Sequence, residues 1–222
     1  MAAKTATRLV VFDCDGTLVD GQSAICDAME SAFAAADLPP PERNEIRRIV
    51  GLSLPQAISR LAPDGAPEGH ARAIEIYKSN FRSARTEGRL EEPLYPGIAE
   101  LLQRLSANGR MLGVATGKSD RGLFSCLAQH GVSELFHTLQ TADHHPSKPD
   151  PAMLQAALQE AYVDPQDAVM IGDTIFDISM AVAAGVRAIG VAWGYHDPAE
   201  LLAAGAVAVA ETAEELERLI DG

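Results

Sequence analysis

The stretch Leu9-Val10-Val11-Phe12-Asp13-Cys14-Asp15-Gly16-Thr17-Leu18-Val19-Asp20 decides how this chain folds. Its apolar run is too short for a helix and reads as a buried strand. The run ends in two carboxylates one residue apart. In extended backbone, residues i and i+2 point to the same side, so Asp13 and Asp15 are expected to converge at the strand's carboxyl end. Open α/β sheets bind their ligands there. Two acids so close repel each other, and one is driven toward its neutral form unless a cation is near. Cys14 should face the opposite side, into the core. Taken alone, the same residues also suit a strand that runs into an Asx turn at Asp15-Gly16.

The rest of the chain supplies the context. After Asp20 no convincing strand occurs before Arg89. Helical stretches are predicted over Asp20–Leu38, from Pro41-Glu42 to about Val50, over Leu54–Leu61, and over His70–Arg89. A Pro/Gly-rich loop is predicted over Ala62–Gly69. From Pro93 the pattern alternates. Strands are predicted at Met111–Ala115, Phe136–Gln140, Ala168–Ile171, Arg187–Ala192 and Ala206–Ala210, with helices between them. Repeated strand–helix units imply a doubly wound α/β core with a parallel sheet, and the helical segment after the first strand implies a separate subdomain. The expected division is a core of residues 1–18 and 92–222 and an inserted helical subdomain of residues 19–91.

Bulk properties narrow the partners. At 222 residues the chain has ample core to fold without staples. Its net charge of −13 disfavours nonspecific binding to nucleic acid or anionic membrane. Cys14, Cys26 and Cys126 are odd in number and widely spaced, which suggests free thiols in a reducing cytoplasm. Met1 to Arg8 precedes no long apolar segment, so no secretory signal is expected. No apolar run is long enough to span a bilayer. Oligomeric state stays open between monomer and homodimer.

Polar clusters collect after predicted strands: Asp13/Asp15, then Thr116-Gly117-Lys118, then Gly172-Asp173-Thr174 with Asp177. Lys148 lies in the loop before another helix. In a parallel sheet such strand ends share one edge, so distant segments meet there. Each cluster has a plainer reading as a turn, a helix cap or a surface lysine, but four coinciding at one edge point to chemistry. The residue types suit phosphoryl transfer. An Asp can attack phosphorus and carry the phosphoryl group. A second Asp can protonate the leaving oxygen and then deprotonate water. Carboxylates, a backbone carbonyl and water suit Mg²⁺. Thr116 and the Gly117 amide are candidates to hold phosphate oxygens, and Lys148 to balance their charge.

These segments resemble the motifs of the haloacid dehalogenase superfamily, over nearly the whole chain. FDCDGTLVD is similar to its first motif, VATGK to its second, SKPDP to its third and IGDTIFDI to its fourth. The resemblance implies a Rossmann-like core and a helical cap that closes over small substrates. It implies Asp13 as nucleophile and Asp15 as general acid/base, with the Asp15 backbone carbonyl on the metal. It implies Asp173 on Mg²⁺ and Asp177 beside it through water. It also implies hydrolysis of a small phosphorylated metabolite through an aspartyl-phosphate. Trp193-Gly194-Tyr195-His196 and the residues after it resemble phosphoglycolate phosphatases. A phosphomutase of the β-phosphoglucomutase kind, a pyrophosphatase or a nucleotidase shares the same chemistry, and an inactive phosphate-binding protein shares the scaffold. Arg47 and Arg48, before Gly51-Leu52-Ser53, are candidates for a substrate carboxylate or sugar. Asp143-His144-His145 lacks the i, i+4 spacing of helical zinc ligands, and a surface role is favoured for the histidines.

Overall fold

In the computed structural model, residues 7–221 are described; most of the Met1–Arg8 stretch weighed for a signal lies outside them. Strand β1 (Leu9–Phe12) carries the opening apolar run and all four residues are buried. Five more strands follow: β2 (Met111–Thr116), β3 (Phe136–Thr141), β4 (Ala168–Gly172), β5 (Arg187–Val191) and β6 (Ala208–Ala210). Every pairing is parallel and the order is β3-β2-β1-β4-β5-β6. The order reverses beside β1, between β1 and β4. The crevice of a doubly wound sheet opens at that switch point. The expected α/β class therefore holds.

The period-2 alternation of β1 divides the core into two layers. Val10 and Phe12 pack with helices α5 (Ile98–Ala107), α6 (Asp120–Gln129) and α10 (Ala213–Asp221). Leu9 and Val11 pack on the other face with α7 (Ala152–Ala161), α8 (Ile175–Ala183) and α9 (Pro198–Ala204). Cys14 is buried in the first layer, as the alternation requires. All three cysteines are free and buried.

Residues between β1 and α5 form four helices: α1 (Gln22–Ala35), α2 (Arg43–Ile49), α3 (Leu54–Leu61) and α4 (Pro67–Thr86). They enclose an apolar cluster of their own around Met29, Phe33, Ile46 and Ile58. Two boundaries differ from expectation. Helix α1 starts at Gln22 because the Asp20 N–H donates to the Pro93 carbonyl (2.8 Å), outside any helix. Helix α4 starts at Pro67, where a proline suits the first helical position. The two connections to this helical segment lie side by side: Val19 bridges Leu94 antiparallel, and the Tyr95 N–H donates to the Leu18 carbonyl (3.0 Å). No helix among the described residues is long and apolar enough to cross a membrane.

Candidate active site

The carboxyl ends of β1, β2 and β4 bring the dispersed polar clusters together. Asp13 follows β1 directly and is fully buried. The Cys14 N–H donates to its Oδ1 at 2.6 Å, and Lys148 Nζ approaches the same oxygen at 2.9 Å. Its Oδ2 is buried and has no protein partner. Lys148 also donates to Asp177 Oδ1 at 2.6 Å, while Asp177 Oδ2 accepts from the Thr174 N–H and hydroxyl. Lys148, Asp13 and Asp177 are all withdrawn from water. Asp173, at the end of β4, accepts from the Thr17 hydroxyl (2.7 Å) and the Tyr195 N–H (2.9 Å).

One oxygen from each of Asp13, Asp173 and Asp177 lies within 4.8 Å of the others. Three acids crowded out of water do not ionise freely. Burial pushes Asp13 up to about 7, although Lys148 pulls it down. Burial, with Asp177 and Asp13 nearby, holds Asp173 well above the carboxylate range. Burial works against the Lys148 ammonium too, but Asp13 and Asp177 outweigh it and keep its pKa above the ordinary value. The donor set is three buried carboxylates, all hard oxygen. It fits a divalent cation of the Mg²⁺ type.

Gly16 lets the chain turn sharply beside this cluster. Its φ is +84°, and a Cβ there would collide with Asp173 Oδ2 and the Tyr195 ring. Across the crevice, Thr116 and Gly117 follow β2. A Cβ on Gly117 would sit 2.6 Å from the Leu52 carbonyl oxygen and 2.7 Å from that of Gly51. The loop between α2 and α3 therefore rests directly on the β2 turn. Ser147 Oγ reinforces this by accepting from the Ser53 N–H (2.7 Å). Phe176 of α8 packs against Leu52 and Ala57.

Between the helical segment and the sheet edge lies a cavity of about 470 Å³. Asp13, Asp15, Thr116, Gly117 and Lys118 line its core side; Leu52, Ser53, Tyr77 and Phe81 are among its opposite wall. Arg47 and Arg48, expected near substrate, are not among the lining residues. This corrects the sequence reading. Arg48 faces outward and forms a bidentate pair with Glu200 of α9 at 2.7 Å, while Arg47 donates to Asn44. The cavity wall instead carries Arg82 and Arg85 of α4 and Arg121 of α6. His144 and His145 turn to different partners, Asp120 (2.7 Å) and Gln140 (2.8 Å).

From sequence, Lys118 was placed in the cluster after β2 without a role, and Glu92 was not reached. Lys118 ion-pairs with Asp15 Oδ1 at 2.8 Å and with Glu92 Oε1 at 2.6 Å. Burial opposes the Lys118 charge, but Asp15 and Glu92 hold it well above the usual lysine range. Burial raises Asp15, and Lys118 works against that rise. Lys118 stands inside the VATGK segment and was legible as a candidate. Glu92 belongs to no motif and gave no signal.

Comparisons with known proteins agree with this architecture. The family model for haloacid dehalogenase-like hydrolases matches residues 10–191. "Probable phosphatase IndB" of Dickeya dadantii is 35% identical over 94% of this chain and 91% of its own length. Phosphoglycolate phosphatase 1 of Pseudomonas aeruginosa is 31% identical over 85% of this chain and 71% of its own. A haloacid dehalogenase-like hydrolase of Streptococcus pneumoniae superposes with a TM-score of 0.83 at 26% identity, covering 96% of this chain and 97% of that one. With its sheet order, the site at the switch point and these matches, the chain belongs to the haloacid dehalogenase-like hydrolases.

Proposed function

We propose that the protein is a Mg²⁺-dependent phosphatase of small phosphate monoesters, similar to phosphoglycolate phosphatases and acting in the cytoplasm. One observation carries this reading. Asp13 presents a buried, unpartnered Oδ2 at the floor of a closed-over cavity, while Lys148 holds its other oxygen. A carboxylate fixed on one oxygen and free on the other is prepared for attack on phosphorus.

In the proposed sequence, Asp13 Oδ2 forms a bond to phosphorus as the bond to the leaving oxygen breaks, and the Asp15 carboxyl gives that oxygen its proton. Asp15, now a carboxylate, takes a proton from water as the water oxygen attacks phosphorus. The bond between phosphorus and Asp13 breaks, which releases phosphate and restores both carboxyls. Thr116 and the Gly117 N–H orient the phosphoryl oxygens, and Lys148 offsets their charge. Asp13, the Asp15 backbone carbonyl and Asp173 would hold Mg²⁺, with Asp177 adjacent. When bound, the ion neutralises the crowded acids and stabilises charge on the phosphoryl oxygens. Residues 19–91 serve as a cap that excludes water from the site, hinged where the two connections pair.

The experiment is phosphate release from 2-phosphoglycolate, sugar phosphates, nucleotides and pyrophosphate, with Mg²⁺, with chelator, and with Asp13→Asn. Release that needs Mg²⁺ and vanishes in the variant supports the reading, and the preferred compound names the substrate class. No release from any compound by folded protein overturns it. Activation by a sugar bisphosphate would assign the protein to phosphomutases instead.

A further inference from the structure

Lys118 lies between two carboxylates, Asp15 Oδ1 at 2.8 Å and Glu92 Oε1 at 2.6 Å. All three side chains are nearly or fully buried: side-chain exposure is 10% for Lys118, 12% for Asp15 and 1% for Glu92. One ammonium serves two carboxyl groups away from water: it donates a hydrogen bond to Glu92 Oε1, its contact with Asp15 Oδ1 is an ion pair, and Asp15 Oδ1 and Glu92 Oε2 are buried with no hydrogen-bond partner. Buried charges of this kind are poor stabilisers, because desolvation consumes most of the attraction. Packing does not account for the set, whereas fixing the position of Asp15 does.

Glu92 sits where the returning connection enters the core. Pro93, Leu94 and Tyr95 beside it pair with Leu18, Val19 and Asp20 of the outgoing connection. On the outgoing side, Gly21 lies against both acids: a Cβ there would be 3.2 Å from Asp15 Oδ1 and 3.6 Å from Glu92 Oε1. The Glu92 carbonyl is itself tied to His130 of the core at 2.7 Å. Lys118 is held by its backbone, its N–H directed at Thr116 Oγ1 and its carbonyl accepting from the Ala142 N–H.

We propose that Lys118, anchored by Glu92 at the paired connections, is a positioning residue that sets the side-chain orientation of Asp15 and couples it to the seating of the helical segment. This rests on the reading of Asp15 as the proton-transfer group of a phosphatase. When the connections shift, Glu92 moves, and the ammonium that fixes Asp15 moves with it. A proton-transfer group misplaced by a fraction of its hydrogen-bond length loses much of its effect.

The test uses p-nitrophenyl phosphate, whose leaving group departs without a proton, so the first step is insensitive to Asp15. The full chain is compared with Lys118→Met, Lys118→Arg, Glu92→Gln and Asp15→Asn by rapid mixing with Mg²⁺. Lys118→Met is expected to release about one equivalent of p-nitrophenolate quickly. Its steady state is then expected to run about 10- to 100-fold slower than the parent, with KM changed less than twofold. Glu92→Gln should shift the same way by less, and Lys118→Arg should recover part of the loss. Steady-state turnover within twofold of the parent in Lys118→Met overturns the proposal. So does a loss explained by KM, which would make Lys118 a substrate ligand. If Lys118→Met does not fold, the same criteria applied to Glu92→Gln decide. If Asp15→Asn turns over like the parent, the reading of Asp15 fails, separately from the role of Lys118.

Discussion

Lys148 Nζ stands 2.9 Å from Asp13 Oδ1, and neither side chain reaches solvent. The pair joins the loop before α7 to the end of β1, and Asp177 completes it from α8. Removing one partner of a buried pair leaves the other charge uncompensated. Lys148→Met is therefore expected to cost about 3–5 kcal/mol of stability and to lower phosphate release by at least about 100-fold. Denaturant unfolding and a phosphate assay on the same preparation check both. A variant as stable as the parent would show that the acids simply take up protons when the lysine is gone.

Asp13 gives the clean separation of chemistry from folding. Asp13→Asn keeps the side-chain shape but removes the nucleophile, so release should fall to the limit of detection while the thermal transition stays cooperative. Retained turnover would place the reacting group elsewhere.

The crowded acids also make a pH prediction. Burial raises Asp13, Asp15 and Asp173 above their unfolded values, with Asp13 reaching about 7. Between about pH 4, the unfolded carboxylate value, and that point, these three acids bind more protons in the folded protein than in the unfolded chain, and His196, lowered by burial, offsets only part of this. Stability without metal should therefore fall as pH rises through this window. Lys118 and Lys148 stay charged throughout and do not alter the slope. A divalent cation binds the ionised carboxylates, so Mg²⁺ should raise Tm more at pH 8 than at pH 5. Thermal scans with Mg²⁺ and with chelator test this; an equal shift at both pH values would argue against the acid cluster as the metal site.

Gly117 reports the contact between the α2–α3 loop and the β2 turn. Gly117→Ala drives a Cβ into backbone oxygens of Gly51 and Leu52, which have no flexible end to yield. The expected result is a drop in kcat/KM of about tenfold or more together with a lowered Tm, because the backbone must shift to admit the methyl group. Full activity would mean that the loop retreats without consequence.

Arg48 predicts the opposite kind of result. Its pair with Glu200 lies on the surface and draws that carboxyl down to about 2 through the guanidinium hydrogen bonds. Exposed pairs of this kind contribute little to stability, because water and salt screen them. Arg48→Ala should leave substrate preference unchanged in the phosphate-ester panel and barely move Tm. A changed preference would return Arg48 to the role that its place in the sequence suggested.

Much of this architecture was legible in the sequence, for local reasons. The apolar run Leu9–Phe12, its alternation and the strand–helix periodicity after Pro93 are short-range properties, and they determine a parallel sheet whose strand ends share one edge. Asp13, Asp15, Thr116, Lys148, Asp173 and Asp177 were visible because each sits at a strand end, in the loop just before a helix or in a helix's first turn. The tertiary structure decided what side chains meet across the chain. Arg48 and Glu200 are 152 residues apart in sequence, Thr17 and Asp173 are 156 apart, and Lys118 and Glu92 are 26 apart. No periodicity encodes such pairings. A charge on a helix or connection reads the same whether it faces water or a buried partner, and only packing removes the water that would otherwise make the difference slight.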